Sequence, residues 1–360
     1  MRETRRMYIL QICNVGNIVG GTAACAWTVT RALPWARHTV AFLGDFNSQT
    51  QATFAPVELL RWKHVEPRDV KRLRPDLVLL HNTPRSRCEQ QLPVATLQYL
   101  HSKISPAQAD VTVYCSQWLA SQYGHPDGPV LYQAVPFPPV QKQRTLPGTT
   151  PRPIPRHPRD HLLVGRLCTP QRRKWPSELA DFYGTLARRV PEIDWEFVGC
   201  PADQQPAFQR ACAGRARFHE ASWSARAHLG RWDALLYHHP TLTESFGRTC
   251  AEALRAGCIP IVDNRGGFRE QLLHRNPATR SPDCLNPVCA HTAQHHPTGF
   301  LCDDGTSFAT ALETLSDPST RRRYALAAYR HGNASFSLER FSRDLLAAFR
   351  RISSNGLRTA

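Results

Sequence analysis

The sequence predicts an α/β protein made of two doubly wound units, each a largely parallel sheet flanked by helices. Three observations carry this. Short apolar strands alternate with helical segments over residues 8–135, the pattern of parallel strands joined by helical crossovers. The alternation stops where Pro136, Pro138, Pro139, Pro147, Pro151, Pro153, Pro155 and Pro158 crowd a polar, basic stretch unsuited to sheet or helix. It then restarts at 161 and continues to 352. A chain of 360 residues is too long for one small core and comfortable for two. The boundaries read as 1–140 for the first unit, 141–160 for a linker, 161–335 for the second unit, and 336–360 for a C-terminal helix and tail.

In the first unit, residues 8–13 read as a strand, followed by a loop to Gly21 and a helix over 22–33. Residues 38–44 and 76–81 read as strands, the second apolar enough to be buried on both faces. Residues 92–101 suit a helix or a mixed segment. A strand over 111–115, a helix over 116–123 with Ser116 as N-cap, and a strand over 130–135 complete the unit. In the second unit, strands are expected over 161–167, 194–199, 216–221, 233–238, 258–263 and 299–302. Helices are expected over 175–190, 204–214, 225–231 and 248–256, the last stopped by Gly257. Three helical stretches, near 305–316, 318–332 and 337–352, close the chain. Open α/β sheets bind ligands at the carboxyl ends of their strands, so two such units predict a cleft between them.

Composition narrows the function classes. Net charge is +16, from 40 Arg and 5 Lys against 29 acidic residues. The excess is even: residues 1–150 carry +7 and 151–360 carry +9. An even Arg excess reads as compositional bias, not as a nucleic-acid stripe, and it is compatible with contact to anionic lipid or an anionic acceptor. No apolar run reaches the length of a membrane span. The basic, partly apolar start is interrupted by Asn14, Gly16 and Asn17 and reads as a first strand, not a signal peptide. The 12 cysteines form no CxxC pair, so buried free thiols in the reducing cytoplasm are the simplest account. The segment 275–297 holds Cys284, Cys289, His291, His295 and His296, but their spacing fits no standard zinc pattern, and a solvated loop is the better reading.

The most informative stretch is 240–272. Glu244 precedes a predicted helix and Glu252 lies within it, with Ser245, Phe246, Gly247 and Arg248 at the entrance. A helix entrance offers unpaired backbone N–H groups and the positive end of the dipole, which suits phosphate. Gly247 lets backbone approach an anion closely. Carboxylates accept paired hydrogen bonds from sugar or ribose hydroxyls, although acidic residues near a helix start also merely complement the dipole. Gly266-Gly267 follows the next strand. Upstream, Val164-Gly165-Arg166-Leu167 ends the first strand of the second unit, and Arg172, Arg173 and Lys174 follow it. Cations there suit a pyrophosphate, or form an ordinary solvated basic loop.

These residues together resemble glycosyltransferase family 4, retaining enzymes of the GT-B fold. The resemblance is sharp over 161–352 and softer over 8–135. It implies transfer of a sugar, with retention, from a nucleotide-diphosphate sugar to a glycan, lipid-linked or small-molecule acceptor. It implies that Arg166 and Lys174 reach the donor diphosphate, with Arg173 as the alternative to Lys174 because Trp175-Pro176 stand where the family has glycine. Glu252 would bind the ribose hydroxyls; Glu244 with the Phe246-Gly247 backbone would orient sugar and β-phosphate. Gly266 and Gly267 would shape the donor side. In the first unit, Gly20 and Gly21 would approach sugar and phosphate, and His101 would lie near the sugar, with His81 a weaker candidate; Asp45, after a first-unit strand, has no support from the resemblance. The last helix is expected to cross back to the first unit. No cofactor or metal is called for beyond the donor, and nucleic acid is not an expected partner. The expected location is cytoplasmic, including the inner membrane face. Rival readings are a sugar-nucleotide epimerase, a phosphorylase, a non-catalytic sugar-nucleotide binder and a polyanion binder.

Overall fold

The computed structural model describes residues 6–137, 161–272, 294–296 and 298–356. The chain divides into two compact units: unit 1 takes everything up to Val135 plus the segment from Phe336 onward, and unit 2 runs from Pro136 to Ser335. The proposed linker 141–160 and the Cys/His segment 275–297 lie outside the described residues, apart from one short strand at 294–296.

Unit 1 is built on β1 (Tyr8–Cys13), β2 (Arg37–Phe42), β3 (Glu58–Arg61), β4 (Leu77–His81), β5 (Thr96–Leu100) and β6 (Val111–Tyr114). Their order is β3-β2-β1-β4-β5-β6, with every neighbouring pair parallel. All residues of the central β1 and β4 are buried, which explains their nearly unbroken apolar sequences. Helices α1 (Gly21–Ala32), α2 (Ser48–Phe54), α3 (Pro67–Leu73) and α4 (Gln117–Gln122) connect strands. Ser116 caps α4 as its sequence suggests, accepting from Leu119 N at 3.0 Å. The last helix, α11 (Leu338–Gly356), packs on α1, β5 and β6. Phe341, Leu345, Ala348, Phe349 and Ile352 form its buried stripe at helical spacing. The expected return of the last helix to the first unit is therefore real.

Two expectations for unit 1 need correction, and three elements lie where none is expected. Residues 92–101 contain a strand, β5, whose five residues are all buried; a fully buried run has no alternation to separate it from helix. Residues 130–135 form no strand: Val130 makes one parallel bridge to Tyr114, and Pro136 follows shortly. The elements α2, β3 and α3 were not foreseen. Each buries two residues or fewer, so little hydrophobic pattern marks them.

Unit 2 carries β7 (Leu162–Leu167), β8 (Ile193–Val198), β9 (Ala216–His219), β10 (Ala234–Tyr237), β11 (Ile259–Asp263), β12 (Gln294–His296) and β13 (Gly299–Cys302). The order is β12-β13-β11-β10-β7-β8-β9, parallel except where β12 runs against β13. The helices are α5 (Glu178–Arg189), α6 (Gln205–Ala211), α7 (Arg248–Ala256), α8 (Gly267–Leu272), α9 (Gly305–Ser316) and α10 (Pro318–Ser335), with 3-10 turns at Arg172–Lys174 and Ala225–Gly230. From β7 the chain builds outward through β8 and β9, then returns to place β10 on the other side of β7. That reversal makes a topological switch point at the carboxyl ends of β7 and β10, the usual ligand position in such sheets. The helix expected over 175–190 starts only at Glu178: Pro176 disfavours helical backbone at Trp175, whose ring is instead buried.

Gly165 on β7 has a packing reason to be glycine. A Cβ there would lie 2.1 Å from the Trp232 ring, itself fully buried among Leu163, Val198, Leu229 and Leu235. Ten cysteines in the described residues are free and buried. No helix among the described residues is long and apolar enough to cross a membrane.

Candidate functional site

The switch point of unit 2 gathers most of the motif residues. Lys174 ends the 3-10 turn after β7, and Glu244 lies in the loop after β10. They form an ion pair with only 13% and 20% of their side chains exposed. The Tyr237 phenol, at the end of β10, donates to the same Glu244 Oε1 and stands 3.5 Å from Lys174 Nζ. Burial raises the Glu244 carboxyl, but the Lys174 charge and the two hydrogen bonds outweigh it and hold the group below the ordinary carboxylate value.

Arg166 lies beneath this group, fully buried. Its guanidinium sits between the rings of Trp175 and Tyr237, 4.9 and 4.5 Å from their centroids. One terminal nitrogen donates to His238 O at 2.7 Å and the other to Lys174 O at 2.9 Å. The resemblance places Arg166 at a diphosphate; in this structure its guanidinium is engaged by the two loops around it. Both terminal nitrogens hold backbone, so Arg166 positions the loops that carry Lys174 and Glu244.

His239 makes a second tie. Its Nδ1 accepts from Leu242 N at 2.8 Å and Thr241 N at 3.2 Å, so Nδ1 carries no proton and Nε2 donates to Arg173 O at 2.7 Å. Burial, the leading cause, lowers the His239 pKa and favours this neutral form. Arg173 contributes its backbone carbonyl to this tie, while its side chain is exposed and donates to Gln171. Of the two candidate cations, Lys174 is the one facing Glu244. Asp263, at the end of β11, accepts from His239 N at 2.9 Å and pairs with His238 and Arg265.

Backbone fit explains the glycines. Gly247, the N-cap of α7, has φ +80°, and a Cβ on it would lie 2.2 Å from the Phe268 ring. Gly266 has φ +60°, and its Cβ would lie 2.5 Å from Glu244 O. Gly267 N donates to that same carbonyl at 2.9 Å. The glycine pair thus supports the Glu244 loop from behind. Phe246 is buried, and its carbonyl accepts from Gln271. Ser245 is half-buried between them.

One turn into α7, Glu252 is buried, 3.8 Å from Arg248 through an i,i+4 ion pair. Burial raises its pKa, and Arg248 and Arg226 pull against that rise without cancelling it. Arg226 is itself stacked on Trp223 at 3.8 Å, and its Nε and one terminal nitrogen are buried without a hydrogen-bond partner among the described residues. Lys174, Arg226, Arg248 and Arg265 stand near Glu244, Glu252 and Asp263. Cations beside the start of a helix are chemically suited to an anion, and carboxylates to hydroxyl groups.

Unit 1 has its own cluster. His81, ending β4, donates from Nε2 to Gln11 Oε1 at 2.8 Å; its Nδ1 lies 3.3 Å from His101 Nε2. His101 Nδ1 accepts from Gln133 at 3.0 Å. Burial lowers the His81 pKa to about 3. Both nitrogens of His101 are therefore engaged within the unit. Gly20 caps α1 with an extended backbone, and Gly21 is the first residue of that helix. The tighter requirement in this loop is at Gly16, whose Cβ would lie 2.3 Å from Asp45 O. Asp45 is exposed and paired with Arg61.

Sequence reasoning missed Tyr237, His239, Asp263 and Arg226. The His238-His239-Pro240 run directly before the Glu244 motif was the available signal. Tyr237 closes an apolar strand and reads as core.

No protein-family model matches the chain, and no curated protein matches it. Solved structures do. HepE of Anabaena, in complex with UDP and glucose, aligns with a TM-score of 0.68 at 16% identity, covering 96% of this chain and 100% of that one. A glycosyltransferase from Rickettsia africae gives 0.67 at 12% identity, covering 98% and 100%. Sucrose-phosphate synthase from Thermosynechococcus elongatus gives 0.65 at 15%, covering 97% and 100%. The fold of this chain is the GT-B fold.

Proposed function

We propose that this protein is a retaining glycosyltransferase of the family 4 type, taking its sugar from a nucleotide-diphosphate sugar. The observation that carries the reading is the Lys174–Glu244–Tyr237 group beside the start of α7, with Glu252 one turn further on. HepE, of the same fold, has been crystallised with UDP-glucose, which makes that donor the first to test.

In this reading the diphosphate lies over the Gly247 end of α7, where backbone N–H groups and the dipole favour negative charge. Lys174 turns from Glu244 to the phosphate and neutralises the charge that builds as the sugar leaves. Glu244, released from that pair, accepts hydrogen bonds from the sugar hydroxyls. Glu252 takes the ribose hydroxyls, and its raised pKa falls as those donors replace lost water. Arg166 and His239 act by holding both loops in register, so that little reorganisation accompanies the reaction. Retention follows from attack on the face the diphosphate leaves, the departing phosphate taking the acceptor's proton. The free buried thiols fit a reducing, cytoplasmic location.

Thermal unfolding with UDP, GDP, ADP and their sugar conjugates tests the donor site, because a ligand bound only by the folded state raises its apparent stability. One diphosphate family should raise the midpoint, and Lys174→Ala and Glu252→Ala should abolish the rise. No shift with any of them at high concentration would end the donor assignment.

A further inference from the structure

We propose that Glu196, His219 and His228 form a binding site for a divalent cation of the zinc class. This proposal does not rest on the donor reading. Glu196 lies on β8, His219 ends β9, and His228 lies in the 3-10 segment Ala225–Gly230. Glu196 Oε2 is 3.0 Å from His228 Nδ1 and 3.5 Å from His219 Nε2, and the two imidazole rings are 4.2 Å apart. Donor atoms around a tetrahedral zinc, each about 2.0–2.1 Å from the metal, lie roughly 3.3 Å from one another. The two distances to Glu196 bracket that value, and all three ligand atoms lie within 4.8 Å of one another.

The donor set also selects the metal. Two imidazole nitrogens and one carboxylate oxygen suit zinc, cobalt or nickel; magnesium and calcium prefer oxygen alone. The surroundings are arranged as a supporting shell. Arg231 takes the far oxygen of Glu196, and Trp232 Nε1 donates to Oε2 at 2.7 Å, which fixes the carboxylate and leaves Oε2 one lone-pair direction. Glu196 itself is 1% exposed in its side chain.

The telling atom is His219 Nε2. It is buried and makes no hydrogen bond among the described residues. A buried ring nitrogen without a hydrogen bond is unfavourable, and a cation between it and Glu196 Oε2, 3.5 Å away, supplies a partner. His219 and His228 are 31% and 15% exposed, which leaves a route for the ion and room for a water as fourth ligand. On binding, the His228 Nδ1 proton, now directed at Glu196, moves through solvent to Nε2, and the imidazole stays neutral. A second such group among the described residues, Cys25, His81 and His101, differs: its imidazole nitrogens are already hydrogen-bonded.

Such a cation ties two strands to the 3-10 segment that carries Arg226, the neighbour of Glu252. The experiment is a zinc titration of the chelator-stripped full chain against a chromophoric chelator, repeated with cobalt. Wild type should bind one equivalent more than the His219→Gln/His228→Gln variant. It should show the visible bands of tetrahedral cobalt, and its melting midpoint should rise with zinc and level off once that equivalent is bound. Circular dichroism checks the fold of the double variant. If that variant does not fold, His219→Gln alone, at a partly exposed position, should weaken zinc binding at least tenfold. Equal zinc stoichiometry and equal cobalt spectra in wild type and a folded variant would overturn the site.

Discussion

Lys174 and Glu244 meet as an ion pair across 70 residues of chain, and Tyr237 bonds the same carboxylate oxygen. A cation already matched by a carboxylate can be handed to a phosphate without first being stripped of water. Its charge also keeps Glu244 ionised in a largely buried position.

The two partners should therefore separate in kinetics. Lys174→Ala should lower kcat by about 10²–10³, the scale for losing one group that stabilises transition-state charge. Glu244→Gln removes the competing charge and should retain UDP affinity while losing turnover. Steady-state rates with UDP-glucose, paired with calorimetric UDP binding, distinguish the cases. Unchanged kcat in Lys174→Ala would remove it from the chemistry.

Arg166 should behave as a positioning residue. Its removal leaves the carbonyls of His238 and Lys174 without their donor, each worth about 1–3 kcal/mol when buried. Arg166→Met, which still fills the space between the rings, should lower the melting midpoint and weaken donor binding together. A fall in kcat with an unchanged midpoint would instead place the guanidinium on the substrate.

Gly165 and Trp232 should show strong coupling. Gly165→Ala pushes a methyl group into the Trp232 ring and should destabilise by about 1–3 kcal/mol. Trp232→Ala should cost about 3–5 kcal/mol as a buried aromatic deletion. In the double variant the new methyl enters space the ring has left, so the combined loss should fall short of the sum. Denaturant unfolding of the four proteins measures this, and simple additivity would contradict the packing.

His81 gives a pH dependence with a defined sign. Its folded pKa is lowered from 6.5 to about 3 by burial, so the folded protein keeps it neutral while the unfolded chain protonates it near 6.5. The stability it provides is complete above 6.5 and declines as pH falls toward 3, by about 1.4 kcal/mol per pH unit. His81→Gln should flatten the acid side of the stability profile. An unaltered slope would mean that His81 is not the group responsible.

The two halves of the fold were unequally legible, for physical reasons. α7 could be placed at both ends because Gly247 and Gly257 sit in left-handed backbone on either side of an amphipathic run. β3 could not, since Glu58, Leu59, Leu60 and Arg61 lie at a sheet edge with none fully buried. β5 was hard to assign because burial on both faces erases its period. At the site, the motif residues Glu244, Gly247, Gly266 and Gly267 do lie together, for the glycines are dictated by close backbone approach. The side-chain direction of Arg166 was illegible: Gly-Arg in sequence says nothing of the Trp175 and Tyr237 rings that enclose it. Tyr237 was silent because a phenol at the end of an apolar strand looks like core until its acceptor is seen.

The return of α11 to unit 1 has a consequence for biosynthesis. Unit 2 is one continuous stretch and can condense as soon as it has left the ribosome, whereas unit 1 needs both its early strands and the last helix. Domains usually mature from the N-terminus during translation; here the later-translated unit is the one able to finish first. Until α11 arrives, the nascent first sheet waits with the apolar surface that Phe341, Leu345 and Phe349 will cover open to chaperones. Nonsense or frameshift changes within the last 25 residues should therefore strike the half of the molecule farthest from them in sequence.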